Sequence, residues 1–443
     1  MVVKATTIGG VLLLSLLAAG PLLAQEDQLF VSYEEIHGEE IWVSDKPTST
    51  PYILKDLLPK EISESIQFLT PSGKNCLFSA QDPTNGVELW ITNGTLPGTK
   101  VLKDIAPGKA GSHPSDLTVV GDLVYFVAQQ PASGRELWVT DGTTDGTQMV
   151  KDLVDGAESS NPTELTSYRN KIFFVSDHAK YGREIWSSDG TEIGTHLIKD
   201  IHSDLSADAP HELLSTPQGL YFVAGSEEAG EEVWIIKGIN NRASMIKDIA
   251  SGTQSSYPTN LVYGNGQVFF TTSSANKSQQ IWKSDGTDAG TSVVHSSEGS
   301  SINQLRYCRN HLFYISQTGA EGKAIHYVSD NGTKGVLSRN GTPISKPSQL
   351  LVVEDKLIFE SYSEDGKSLC ASTGPYGSTE YLMSLQNETG KSFFNPLSIQ
   401  GETLFFQVKN ANKTAYWLTS GKVESTQEID MSGSSATAVN IIR

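Results

Sequence analysis

The sequence of 443 residues has only three cysteines, Cys76, Cys308 and Cys370. Their number is odd and they occupy unlike positions in the chain, so we do not expect a disulfide framework. We interpret them as small buried apolar residues. A bridge between Cys308 and Cys370 is the one alternative that their positions leave open.

Basic residues are scarce. The chain has 33 lysines and arginines against 51 aspartates and glutamates, which gives a formal net charge of −18. Nucleic-acid binding needs a basic surface that meets the phosphates, so we exclude a nucleic-acid partner. Acidity of this kind favours solubility in an exported protein more than it indicates a surface that collects cations.

Long apolar runs are missing beyond the N-terminus. Lys4 precedes an apolar run at 10–23, and Ala24 offers a small residue at the end of that run. This pattern predicts a signal peptide over 1–24. No later run approaches the length of a membrane span. We therefore expect the mature chain, 25–443, to be exported, either secreted or periplasmic, and to have no membrane span.

Motifs of known reaction centres are also missing. The sequence contains no His-Glu-x-x-His, no close metal-type pair of histidines and no Gly-x-Ser-x-Gly elbow. Its Asp-Gly-Thr-x-x-Gly-Thr loops lack the alternating ligands of calcium loops and indicate hairpin turns. We identify no cofactor from these motifs, and whether the chain is an enzyme stays open, with a non-catalytic role favoured.

What the chain does have is a repeat marked by tryptophan. Six tryptophans follow one another at intervals of 48 residues, and the seventh, Trp417, lies in a degenerate copy of the same segment. The six regular positions are Trp42, Trp90, Trp138, Trp186, Trp234 and Trp282. One period, 114–153, contains four short strand-like runs separated by turns and no helical pattern. A fixed period of such units predicts propeller blades.

The aromatic pair of the second strand allows the units to be counted. It recurs nine times, and the last three units drift in spacing, so we predict nine blades, with eight as the alternative. The units lie near 28–58, 65–106, 113–154, 161–202, 209–250, 257–295, 302–338, 347–385 and 395–431. The mature chain begins on a second strand, and 436–442 is strand-like. We expect this C-terminal strand to complete the first blade and to close a single all-β propeller.

The recurring string Glu-Leu-Trp-x-x-Asp-Gly-Thr resembles the family named for it, the ELWxxDGT-repeat proteins. It stands complete at Glu136–Thr143 and with small changes at Glu88–Thr95, Glu184–Thr191 and Ile281–Thr287. The order of the strands is similar to TolB-like and WD-like propeller repeats, in which the first strand lines the channel. The resemblance implies an exported bacterial β-propeller, and it carries over no catalytic residue.

A row of polar residues lies two positions after the proline of the first strands, and at the matching positions of the later units. Its members are Asp116, Glu164, Glu212, Asn260, Gln304 and Gln349. If the first strands line the channel, this row forms a partly acidic ring there. Such a ring can hold a divalent cation such as calcium through oxygen ligands. The alternative is that these side chains face solvent in a wide channel, so the metal content stays unknown.

The tryptophans and the glutamates of the repeat have structural interpretations. Equal spacing favours packing between adjacent sheets for the tryptophans, over a platform that binds sugars. For the glutamates we expect ion pairs or caps on turns. They are Glu40, Glu88, Glu136, Glu184 and Glu232, and lysines with the same period, Lys55, Lys103, Lys151, Lys199 and Lys247, are the expected partners.

These observations predict an exported, non-catalytic propeller that binds a protein or a glycan at the cell envelope or outside the cell. The alternative is a carbohydrate-active hydrolase or lyase with carboxylates at the channel mouth. A quinone-cofactor dehydrogenase and a purely structural envelope component are further rivals. The last three units depart from the repeat, and we hypothesise that function lies there. The ligand, the face that binds it and the oligomeric state stay open.

Overall fold

The computed structural model describes most of the chain as β-strand. The described residues are 28–34, 38–44, 52–57, 66–202, 209–238, 242–273, 278–297, 300–318, 322–363, 366–385, 393–400, 403–409, 414–428 and 436–442. The predicted signal peptide, 1–24, lies outside these ranges. Within them the strands form nine four-stranded sheets and one two-stranded hairpin. The predicted all-β propeller of four-stranded blades is confirmed.

Blades 1 to 5 carry the regular repeat. Blade 1 contains β1 (Gln28–Glu34), β2 (Gly38–Ser44), β3 (Tyr52–Lys55) and the last strand of the chain, β38 (Ala436–Ile442). Blade 2 contains β4 (Gln67–Ser72), β5 (Asn75–Asp82), β6 (Gly86–Thr92) and β7 (Lys100–Lys103). Blade 3 contains β8 (Ser115–Val120), β9 (Leu123–Gln130), β10 (Gly134–Thr140) and β11 (Gln148–Lys151). Blade 4 contains β12 (Thr163–Tyr168), β13 (Lys171–His178), β14 (Gly182–Ser188) and β15 (His196–Lys199). Blade 5 contains β16 (His211–Ser215), β17 (Leu220–Ser226), β18 (Gly230–Lys237) and β19 (Arg242–Met245).

Blades 6 to 9 include the units that depart from the repeat. Blade 6 contains β20 (Thr259–Gly264), β21 (Gln267–Ser273), β22 (Gln279–Ser284) and β23 (Ser292–Ser296). Blade 7 contains β24 (Ile302–Cys308), β25 (His311–Thr318), β26 (Gly322–Ser329) and β27 (Lys334–Val336), and the hairpin of β28 (Ser338–Arg339) and β29 (Thr342–Pro343) follows it. Blade 8 contains β30 (Ser348–Val353), β31 (Lys356–Ser363), β32 (Gly366–Ser372) and β33 (Thr379–Ser384). Blade 9 contains β34 (Phe393–Gln400), β35 (Thr403–Lys409), β36 (Thr414–Thr419), a short 3₁₀ helix (Val423–Ser425) and β37 (Gln427–Glu428).

The two ends of the described chain meet in blade 1. Strand β38 pairs with β1 in antiparallel fashion, with Phe30 opposite Ile441. Strand β38 also contacts β34 of blade 9. The blade therefore takes strands from both ends of the chain, while closure of the whole ring stays a prediction.

The hydrophobic core lies between neighbouring sheets. One cluster joins Leu77 and Leu89 of blade 2 to Phe126 and Trp138 of blade 3. The second strand of a blade is buried on both faces, which explains its near-continuous apolar sequence. Comparable clusters join the other blade pairs from blades 1 and 2 through blades 8 and 9.

The first strand of each blade lies nearest the axis of the propeller. Strand β4 contacts β8, β8 contacts β12, and the series continues to β24 and β30. These strands share a β-bulge near their start. In blade 3, Ser115 lies opposite Val127 but Thr118 lies opposite Tyr125, so the intervening residues are not paired. The bulge sets the direction of the side chains on the inner strand.

Candidate functional site

The polar row expected in the channel coincides with these bulges. Each of its six members has a positive φ, between 51° at Gln349 and 60° at Asn260. Three of the six side chains reach the next blade. Glu164 accepts the backbone N–H of Leu213 at 3.1 Å, and Gln304 accepts that of Leu350 at 2.7 Å. Glu212 accepts two backbone N–H groups in the same way. These oxygens bond one inner strand to the next, a role that the sequence did not indicate.

The described residues contain no group of three or more His, Cys, Asp and Glu side chains arranged to hold a metal ion. A calcium ion in the channel stays a prediction. Among the same residues, no helix has the length and the apolar character needed to cross a membrane.

The repeat tryptophans that the structure describes lie between blades. Trp90, Trp138 and Trp186 are each 4% exposed, and the rings of Phe126 and Trp138 lie 6.3 Å apart. The indole N–H of Trp90 donates to the carbonyl oxygen of Ala80 at 3.0 Å. Trp234 is also buried, whereas Trp282 and Trp417 are half-buried, and the side chain of Trp42 lies outside the described residues.

The repeat glutamates are buried caps and do not pair with the lysines. All five are at most 2% exposed. Glu136 accepts hydrogen bonds from the backbone N–H of Ser160 at 2.8 Å and from its hydroxyl at 2.5 Å. Burial raises the pKa of the Glu136, Glu184 and Glu232 carboxyls to about 7, against the hydrogen bonds that lower it.

The lysines of the same period bind the next blade instead. Lys103 Nζ donates to the Thr147 carbonyl oxygen at 2.6 Å, and Lys247 Nζ lies 2.5 Å from Asp288 Oδ1. The expected Glu–Lys pairs are therefore wrong. A carboxylate buried under the loop is better satisfied by fixed backbone donors than by a long flexible ammonium group.

The lysine contacts show how one blade holds the next. The turn between the third and fourth strands, which we call the repeat turn, packs over the preceding blade. In blade 6 it runs from Ser284 to Thr291. A methyl group built on Gly286 would lie 2.8 Å from Ile235 Cδ1 of blade 5, so the turn covers that isoleucine. Lys237 Nζ of blade 5 donates to the carbonyl oxygen of Gly286 at 2.7 Å.

Blade 7 has a shorter repeat turn. In blade 6 the turn joins Trp282 to its partner Val293, eleven positions on. In blade 7 it joins Tyr327 to Gly335, only eight positions on. The missing three residues are those that would cover blade 6.

A cavity of about 440 Å³ occupies the uncovered place between blades 6 and 7. We call it the inter-blade cavity. Its lining from blade 6 is Gly264, Asn265, Gln267, Phe269, Lys283, Val293 and Val294, and its lining from blade 7 is Val328, Ser329, Asp330, Gly332 and Lys334. This volume is within the range of ligand pockets.

Lys283 occupies the position that carries Ile235 in blade 5 and Ile91 in blade 2, directly after the repeat tryptophan. It is half-buried, and Lys334 on the opposite wall is exposed. Within the described part of the chain neither ammonium group has a hydrogen-bond acceptor or an ion-pair partner. A lysine thus replaces an aliphatic residue where the cavity opens.

The carboxylate in the lining is held by neighbouring groups. The hydroxyl of Tyr307 donates to Asp330 at 2.7 Å, and Asn265 Nδ2 donates to it at 2.7 Å. Tyr307 can reach this position because Gly264 has no side chain, since a Cβ there would lie 2.0 Å from the tyrosine ring. Burial together with the hydrogen bond to Asp330 raises the pKa of Tyr307. The lining of the cavity therefore carries two lysine ammonium groups and one carboxylate, and that carboxylate already accepts hydrogen bonds.

A histidine stands beside the cavity where the lysine row of the repeat would continue. His295 follows Lys247 by one 48-residue period and lies next to Val294 of the lining. Its ring lies 5.5 Å from that of Tyr314. Burial, Lys334 and His326 lower the pKa of His295, which therefore favours the neutral ring.

Sequence reasoning missed the inter-blade cavity because its two walls are distant in the chain. Two local signals were present: a lysine after Trp282, where the other regular blades carry apolar or small residues, and the short interval between Tyr327 and Gly335. Both become meaningful only when the repeat turn is known to cover the preceding blade.

The geometry and the fold define a β-propeller whose interface between blades 6 and 7 is modified. No family model and no curated protein matches the chain. Solved structures of similar fold include a puromycin-hydrolysing peptidase from Mycobacterium tuberculosis (TM-score 0.42, 10% identity, 72% of this chain and 53% of that one). They also include oligopeptidase B from Leishmania major (TM-score 0.45, 12% identity, 78% and 53%). A third is the β-propeller domain of the trilobed protease from Pyrococcus furiosus (TM-score 0.38, 13% identity, 72% and 98%). The chain spans about half the length of the first two.

These matches correct the function predicted from the sequence. We predicted a non-catalytic scaffold for a protein or glycan, with a carbohydrate-active hydrolase or lyase as the alternative. This prediction is wrong, because the solved proteins of similar fold are peptidases. At identities of 8–13% the likeness shows the fold alone. It assigns no activity to this chain.

Proposed function

We propose that the chain binds a small organic anion, of the carboxylate class, in the inter-blade cavity. The observation that carries this proposal is Lys283, a half-buried ammonium group at a position that is aliphatic in blades 2 and 5. A half-buried cation without a partner loses hydration and gains nothing in return. A bound anion compensates for the lost hydration.

Charge favours an anion over a cation at this place. The chain as a whole has a formal net charge of −18, yet the lining of the cavity has two lysines and one aspartate. That aspartate already accepts from Tyr307 and Asn265. The ammonium groups are the donors left for a ligand, and a carboxylate accepts from such donors in short, charge-assisted hydrogen bonds.

The remaining lining favours an anion with an apolar part. Phe269 and Val328 are buried in the walls, and Val293 is 43% exposed at the cavity. Apolar walls with a few placed polar groups are the usual composition of a ligand pocket. An inorganic ion alone would leave these walls uncovered.

Calorimetric titration of the full chain with succinate, glutamate and inorganic phosphate tests the proposal. We expect a carboxylate to bind at low salt and to bind about tenfold more weakly to the Lys283→Gln variant, which loses one charged hydrogen bond. Lys74→Gln is the matched control, because Lys74 is an exposed lysine in a turn of blade 2, far from the cavity lining. Equal weakening in both variants, or no binding by any of the three anions, would overturn the proposal.

A further inference from the structure

The inter-blade cavity is the place where the interfaces of blades 2 and 3, 3 and 4, and 5 and 6 hold a turn of peptide. At the interface of blades 5 and 6 that turn is Ser284–Thr291, and it covers Ile235. At the interface of blades 2 and 3 a methyl group on Gly142 would lie 3.8 Å from Ile91 Cδ1. The cavity thus lies where a peptide turn covers the preceding blade at these interfaces.

The lysines of the preceding blade hold this turn. Lys237 Nζ donates to the carbonyl oxygen of Gly286 at 2.7 Å, and Lys247 Nζ lies 2.5 Å from Asp288 Oδ1. The hydrogen bonds from Thr287 lower the pKa of Asp285, and the nearby Lys237 adds to this effect. An acidic turn and two lysines are therefore the natural partners at an interface of this propeller.

The walls of the cavity keep cationic groups for such a turn, one from blade 6 and one from blade 7, although blade 7 does not supply the turn itself. Lys283 and Lys334 line the cavity, and no described carbonyl or carboxylate group meets them. We infer that the inter-blade cavity takes a short acidic peptide, which replaces the repeat turn that blade 7 has shortened. This inference rests on the proposed function, because it names the class of anion that the same cavity binds.

The repeat turn is suited to act as a separate ligand because it holds its own shape. Asp285 Oδ1 accepts from the backbone N–H of Thr287 at 2.9 Å and from its hydroxyl at 2.6 Å. The hydroxyls of Ser284 and Thr291 lie 2.7 Å apart and close the base of the turn. A ligand that is already ordered loses less entropy on binding.

A cyclised octapeptide with the sequence of residues 284–291, Ser-Asp-Gly-Thr-Asp-Ala-Gly-Thr, is the probe for this inference. It is titrated into the full chain at low salt, alone and after saturation with the carboxylate that binds best. The control peptide has asparagine in place of both aspartates. The protein variants are Lys283→Gln and Lys74→Gln.

We expect the acidic peptide to bind, to displace the carboxylate and to bind about tenfold more tightly than its asparagine control. That difference should disappear in Lys283→Gln and persist in Lys74→Gln. If a carboxylate binds through Lys283 but the peptide neither binds nor displaces it, the inference is wrong and the proposed function stands. If neither binds, both are wrong. Phosphate that binds and resists displacement by the peptide would identify a free phosphate site and contradict the inference.

Discussion

The interface of blades 2 and 3 and the interface of blades 6 and 7 are built on the same plan and differ at one turn. In the first, the repeat turn of blade 3 reaches Ile91, and the buried Glu88 caps the loop between the blades. In the second, the turn is three residues shorter than that of blade 3, and Lys283 stands in the place of Ile91. The comparison shows that a repeat protein can gain a cavity by loss of a covering segment, while its sheets stay in place.

The same comparison extends to the positions that hold each blade together. The tryptophan position of blade 3 is Trp138, and that of blade 8 is Cys370, which lies opposite Phe359 as Trp138 lies opposite Phe126. The glutamate position of blade 3 is Glu136, and that of blade 6 is Gln280. Blade 3 thus contains large buried side chains at two positions where blades 6 and 8 carry other residues.

Trp138→Ala should give the largest loss of stability. It removes a buried indole from the cluster between blades 2 and 3, and we expect a loss of about 4 kcal/mol in the free energy of unfolding. Cys370→Ala, at the equivalent position of blade 8, removes one sulfur and should cost about 1 kcal/mol. Denaturant unfolding of both variants measures the difference. Equal losses would contradict the distinction between the two kinds of blade.

Glu136→Ala should give the next largest loss of stability. It leaves the hydroxyl and the N–H of Ser160 buried without their acceptor, at a cost of about 3 kcal/mol in the free energy of unfolding. Gln280→Ala is the matched change in blade 6, where the side chain is half-buried and donates to Ser296 Oγ. For Gln280→Ala we expect a loss of about 1 kcal/mol in the free energy of unfolding. A larger loss at Gln280 than at Glu136 in the same denaturation experiment would contradict the account.

The buried glutamates also predict how stability depends on pH. Their pKa is about 7 in the folded chain at Glu136, Glu184 and Glu232, above the value of 4.5 for a free side chain. Between these two pH values the folded state binds more protons than the unfolded state does. The stabilising contribution of the three carboxyls is therefore fully present below about pH 4.5 and is lost as the pH rises through 7.

Melting temperatures measured from pH 5.5 to 8.5 should therefore fall with rising pH. Glu136→Gln removes one of the three carboxyls and should reduce the slope, with an effect of about 1.4 kcal/mol for each tenfold change in acidity. Gln280→Glu in blade 6 should increase it. A slope that is unchanged by both substitutions would show that these glutamates do not govern the pH dependence.

Gly264→Ala should have a smaller effect that is confined to the modified interface. The added Cβ would lie 2.0 Å from the ring of Tyr307, which must move away from Asp330. We expect a loss of about 1 to 2 kcal/mol in the free energy of unfolding and weaker binding of the carboxylate. Tyr307→Phe keeps the ring and removes the hydrogen bond, so it should weaken binding with little change in stability. Calorimetry and thermal unfolding separate the two effects.

The sequence predicts the blades better than it predicts the site. A tryptophan at every 48th residue and an apolar second strand specify which residues pack between sheets, because packing repeats with the chain. The sequence also singled out the bulge residues such as Glu164, but not their bonds to the next blade. Contacts of Lys237 with Gly286 or of Lys247 with Asp288 cross from one blade to the next. A cavity that arises from a missing contact of this kind has no local pattern.

The most direct test of the inter-blade cavity is to restore the missing turn. Residues 329–334 of blade 7 are replaced by residues 284–292 of blade 6, which adds the three absent residues. Binding of the carboxylate ligand to this variant is then measured by calorimetry beside the unmodified chain. We expect the variant to fold with equal or greater stability and no longer to bind the ligand. A folded variant that binds the ligand as tightly as the unmodified chain would contradict this expectation.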